Sequence, residues 1–120
     1  MKQSLILYIG EREAGEALAA QVEQAGGFVY LPDSLMQALG MYITYFPDVI
    51  IIDMSLSYAQ EAYDHLRSVD AEPIILLTDE YIRSTSVFAL PRETSAEALV
   101  EALDRVGQPQ RVPIGVLRYA

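Results

Sequence analysis

The chain has 120 residues, 52% of them apolar, no cysteine, and a net charge of −9 from 8 basic and 17 acidic side chains. This composition suits one domain with a sizeable core, and it excludes disorder, disulfides, thiol chemistry and Cys-based metal sites. The acidity argues against nucleic acid and anionic membranes as direct partners, so any DNA contact would belong to another domain or subunit.

In chain order, apolar runs alternate with helix-period segments, the signature of a βαβ architecture. Leu5 to Ile9 reads as a first strand, followed by a helix over Glu13 to Ala25 whose stripe is Ala14, Leu18, Val22 and Ala25. Gly26 and Gly27 stop that helix. Phe28 to Leu31 is a short second strand closed by Pro32, and Ser34 caps a second helix with Leu35, Leu39, Tyr42, Ile43 and Phe46 inward. Met41 and Tyr45 form apolar surface beside that stripe. Asp48 to Asp53 is the third strand.

Ser57 is the expected cap of a third helix, with Ala59, Ala62, Tyr63 and Leu66 inward. Ile74 to Thr78 and Ser86 to Leu90 read as strands four and five, bounded by Pro73 and Pro91. Thr94 and Glu97 form a capping box for a last helix with Ala96, Leu99, Val100 and Leu103 inward, ended by Gly107. Only seven residues, Asp79 to Thr85, join strands four and five. They reach at most ~24 Å when extended, against roughly 17 Å for a five-residue strand. A regular crossover helix needs a dozen or more residues, so the fourth one is expected to be shortened or absent.

No apolar run approaches the ~18 residues of a membrane span, and no signal segment opens the chain, so a cytoplasmic location is expected. Residues 1–106 form the expected domain. The segment 107–120 carries Arg111 and Arg118 without an acid, and reads as an apolar tail, an extra strand or the start of a linker. His65, the only histidine, reads as a surface side chain. Gly10 and Gly15 make no phosphate-binding loop, because no Gly-Lys-Ser/Thr follows and Glu11 and Glu13 would repel phosphate.

Asp53 says most about function. It follows Val49, Ile50, Ile51 and Ile52, a β-branched run suited to burial on both faces of a parallel sheet. The C-terminal edge of such a sheet is where ligands bind. A flavodoxin-like doubly wound sheet in the order 2-1-3-4-5 would gather Gly10 and Glu11, Asp53 and Met54, and Thr78 and Asp79 at that edge.

With these residues in place, the chain resembles the receiver (CheY-like) domain of two-component response regulators over about residues 4 to 106. The resemblance implies Asp53 as phosphoacceptor and Thr78 as a phosphoryl contact. It also implies a weak Mg²⁺ site from Glu11, Asp53 and the Met54 carbonyl. The family's acid pair after strand one falls on Gly10 and Glu11, and its Lys-Pro pair on Leu90 and Pro91. Gly10 and Leu90 therefore remove one metal-binding acid and the ammonium, while Asp79 adds a negative charge. Arg92 and Arg12 are two cations near enough in sequence to replace that ammonium, with Pro91 turning the chain before Arg92. Val87 stands at the position of the family's aromatic switch, with Phe88 one residue out of register, and the loop Ser55-Leu56-Ser57-Tyr58-Ala59 lacks the usual Pro and Gly.

These departures suggest a degenerate, or pseudo-, receiver that works mainly through protein contacts. It is expected not to be an enzyme, beyond Mg²⁺-dependent self-phosphorylation of Asp53 at most. The alternative is a working phosphorelay receiver, phosphorylated on Asp53 with Mg²⁺. Implied partners are a histidine kinase, an output domain or another signalling protein, and a homodimer is compatible with the sequence. The non-signalling readings are an Asp53 that only caps the next turn and a Thr78 that only bonds its own loop.

Overall fold

The structure, a computed structural model, describes residues 4–71, 73–80 and 87–106. Five parallel strands run β1 (Leu5–Ile9), β2 (Phe28–Tyr30), β3 (Val49–Asp53), β4 (Ile74–Leu77) and β5 (Val87–Leu90), in the order β2-β1-β3-β4-β5. The helices are α1 (Arg12–Gln24), α2 (Leu35–Tyr45), α3 (Ala59–Ser68) and α4 (Ala96–Val106). This is the flavodoxin-like doubly wound sheet that the alternation of elements implies. Among the described residues no helix separates β4 from β5, and residues 78–86 are too few for a packed crossover. The expected 107–120 tail strand lies outside the described residues.

The register places Leu7 beside Ile50 and Ile51 beside Ile75, so the aliphatic centres of β1, β3 and β4 align. α1 and α4 cover one face, where Leu18, Val22, Leu99 and Leu103 meet Ile6, Tyr8, Ile51 and Ile75. α2 and α3 cover the other, where Ala38, Ala62 and Leu66 meet Leu7, Ile9, Ile50 and Ile52. Every residue of β3 is buried. Each aliphatic side chain so placed contributes about 1.5–3 kcal/mol relative to exposure.

Local signals set the helix ends. Ser34 Oγ accepts the Gln37 N–H at 3.1 Å. Gly26 takes φ 94 after α1, which lets the Gly27 N–H reach back to Val22 O at 3.0 Å. Two expected caps move by one residue. α3 is preceded by Tyr58, not Ser57. Ser95, not Thr94, caps α4: its Oγ accepts the Ala98 N–H at 3.2 Å, while Thr94 Oγ1 donates to Pro91 O at 2.6 Å. A serine next to the helix start has the shorter reach to the third amide.

The expected α2 stripe is also corrected. Ile43 is 67% exposed and Phe46 75%. The inward face is centred on Ala38, and at 3.6 residues per turn Ile43 lies about 140° away from it. Phe46 has left the helix: its φ of 50 puts it in the left-handed region, with its N–H donated to Tyr42 O at 3.1 Å. In α1, Ala14 and Ala25 are exposed, and Gly15, Leu18 and Val22 face inward.

Ile51 is fully enclosed in the central strand. Ile51→Ala should therefore lower stability by about 3 kcal/mol in a urea titration. Phe46→Gly should raise stability by about 1 kcal/mol, since it relieves the left-handed backbone and uncovers little apolar surface.

Candidate functional site at the C-terminal edge of the sheet

Asp53 ends β3 with only 7% of its surface exposed. A carboxylate this deep needs partners. Oδ1 accepts the Ser55 N–H at 3.0 Å and the Ser55 hydroxyl at 2.7 Å. This closes the turn after the strand, so Asp53 does cap the next turn, as one reading of the sequence allows.

Among the described residues the nearest cation is Arg92, whose Nε stands 4.0 Å from Asp53 Oδ1. That distance is too long for a hydrogen bond, so the attraction is coulombic. With the guanidinium half exposed, it is worth on the order of 1 kcal/mol or less. The Arg92 backbone is also placed by an acid, because its N–H donates to Asp79 Oδ1 at 3.1 Å. Pro91 turns the chain, and Thr94 closes that turn on Pro91 O. Arg12, the other cation considered from sequence, lies elsewhere: its guanidinium donates to Asp33 Oδ1 and to Leu31 O at 3.3 Å.

Glu11 caps α1 through its backbone without a side-chain hydrogen bond to the helix. Its side chain lines a cavity of about 340 Å³ together with Tyr8, Asp53 and Arg92, walled by Ala14 and Leu99. Thr78 and Met54 line a neighbouring cavity of about 400 Å³ with Ser55, Asp79 and Arg92. Arg92 therefore stands between the two. The Thr78 hydroxyl accepts the Glu80 N–H at 3.1 Å, and the Thr78 N–H donates to Leu90 O at 2.8 Å. The Met54 N–H donates to Leu77 O at 3.0 Å. His65 is exposed on α3.

Two residues at this edge escaped the sequence reading. Ser55 forms an Asp-x-Ser turn, a pattern visible in the sequence. Tyr8 was the less legible one. It is 2% exposed in an otherwise aliphatic strand, and its phenol pKa is pushed up to about 12, first by burial and then by the carboxylates of Asp53 and Glu11. A phenol in a strand buried on both faces was the available signal.

No protein-family model matches the sequence, and no curated protein matches it. Solved structures do. A two-component response regulator from Clostridium difficile superposes with a TM-score of 0.72 at 18% identity, over 92% of this chain and 100% of that one. The chemotaxis response regulator CheY4 of Vibrio cholerae gives 0.70 at 20% identity, over 88% and 99%. The BeF3-activated N-terminal receiver domain of Klebsiella pneumoniae RstA gives 0.67 at 19%, over 85% and 96%. The chain has the receiver-domain fold.

Among the described residues this edge offers the divalent cation that the resemblance implies two carboxylates, Glu11 and Asp53, which line one cavity. Mg²⁺ takes hard oxygens in near-octahedral array, through one or two carboxylates and several waters. Among the described residues no three acidic or imidazole side chains converge on one point. Asp53 Oδ1 already accepts twice from Ser55 and faces a guanidinium.

A titration at alkaline pH tests the placement of Tyr8. The unfolded phenol ionises near 10 and the folded one near 12. Between those values the unfolded chain releases a proton that the folded chain keeps, so stability should be complete below pH 10 and fall as pH rises towards 12. Ultraviolet titration should show a late phenol ionising near 12, and Tyr8→Phe should remove that phase together with the loss of stability.

Proposed function

We propose that this chain is a receiver-like signalling domain, a pseudo-receiver, that acts through protein contacts with aspartyl phosphorylation impaired or absent. The observation that carries the proposal is the occupation of Asp53: two hydrogen bonds from Ser55 and the Arg92 guanidinium on the same oxygen. Phosphorylating a carboxylate gathers several negative oxygens around one phosphorus, so charge compensation carries most of the catalysis. Here Leu90 and Gly10 supply none, and Asp79 adds a negative charge. The Thr78 hydroxyl is engaged by its own turn.

The surface supports a contact role. Tyr30 and Tyr45 stack with ring centroids 4.4 Å apart, and Phe28 meets Tyr30 edge-on at 4.8 Å. Ile43, Phe46 and Met36 add exposed apolar surface on and beside α2. Exposed apolar and aromatic side chains of this kind suit a protein interface. The proposed partners are a histidine kinase, an output domain or another signalling protein, in the cytoplasm. No helix among the described residues is long and apolar enough to cross a membrane.

Incubation with acetyl phosphate and Mg²⁺, followed by intact-mass measurement, should show no phosphoryl adduct. Stoichiometric labelling that disappears in Asp53→Asn would overturn the proposal and restore the working phosphorelay reading.

A further inference from the structure

Gly10 directly follows β1, two residues after Tyr8. A Cβ built on Gly10 would lie 2.5 Å from Tyr8 Cε1, 2.9 Å from Cζ and 3.0 Å from Oη. No real side chain tolerates the first of these distances. The backbone of Gly10 is not in the left-handed region, and the three atoms nearest such a Cβ all belong to the tyrosine side chain. The ring is confined on its other side as well. A Cβ on Gly15 in the first turns of α1 would come within 3.1 Å of Tyr8 Cδ1 and would also collide with Leu31. Tyr8 is thus a rigid plate seated between two glycines, packed in the core beneath α1 and α4 and edging the cavity that Glu11 and Asp53 line.

We infer that Tyr8, admitted by Gly10 and Gly15, is the residue that specifies this site against a divalent cation. The loss of an acid at position 10 is then a consequence of the tyrosine and not an independent change. The ring fills the space into which a second carboxylate would project, and an aromatic edge offers a hard cation no ligand. A phenol that stays protonated through neutral pH adds no charge in its place. The inference rests on the pseudo-receiver proposal and goes beyond it by naming the residue responsible.

The test is a set of variants titrated with Mg²⁺ by calorimetry and with Mn²⁺ by electron paramagnetic resonance, each checked for folding by circular dichroism. The parent chain, Gly10→Asp alone and Tyr8→Val alone should take up no metal at millimolar concentrations. The double variant Tyr8→Val/Gly10→Asp should bind at millimolar metal or better, and adding Asp53→Asn should abolish that uptake. Because Gly10→Asp alone can fail to fold, Gly10→Ala supplies a second readout. It should lower the thermal midpoint by several degrees when Tyr8 is present and by far less in the Tyr8→Val background, a coupling expected only of residues in contact.

A folded double variant that binds no metal overturns the inference and leaves the pseudo-receiver proposal standing. So does a Gly10→Asp single variant that binds as tightly as the double. Metal uptake by the parent chain overturns the inference outright, and acetyl phosphate labelling then decides the proposal separately.

Discussion

The side chains of β3 leave water on both faces of the sheet at once, and the rest of the molecule is arranged around that double burial. Val49 to Ile52 can be enclosed on both sides only if β1 and β4 flank the strand and helices lie above and below it. The same constraint carries the last residue of the strand inward. Asp53 is an acid drawn to the edge of an apolar slab, where dipoles and charges must replace lost water. Ser55 provides the dipoles and Arg92 the charge.

Each substituent around Asp53 has a consequence for its neighbour. A Cβ two residues after Tyr8 would collide with its ring, and Gly10 carries none. Leucine ends β5, and the arginine two residues later brings a guanidinium to 4.0 Å from Asp53. Asp79 looks unfavourable as an added negative charge, yet it accepts the amide of that same arginine. At this edge one arginine serves two acids, Asp79 through its amide and Asp53 through its guanidinium.

Much of this was legible in the sequence, because two-sided burial leaves a β-branched run that resembles nothing else. Val49 to Asp53 and Ile74 to Leu77 read as buried strands, and the flavodoxin-like order then put Asp53 at the edge of the sheet. The α2 stripe was less legible: Ile43 and Phe46 are apolar but serve the surface and the helix end, which periodicity cannot distinguish from core. Caps moved by one residue where two hydroxyls or small polar groups adjoin, as at Thr94 and Ser95. Tyr8 was hidden for a deeper reason. A strand buried on both faces has no polar alternation, so the direction of each side chain is not written in the sequence. Arg92 was obscured by the turn at Pro91, whose geometry decides whether the guanidinium returns to the sheet.

The attachment of Arg92 at two points has a mechanical consequence. Its amide is held by the loop that follows β4, and its guanidinium by the end of β3. A displacement of the segment between β5 and α4 must therefore either break the bond to Asp79 or lengthen the pair with Asp53. Three strand ends are pinned by one residue. The link to the loop after β4 runs through the Arg92 backbone, and only the weaker link to β3 runs through its side chain.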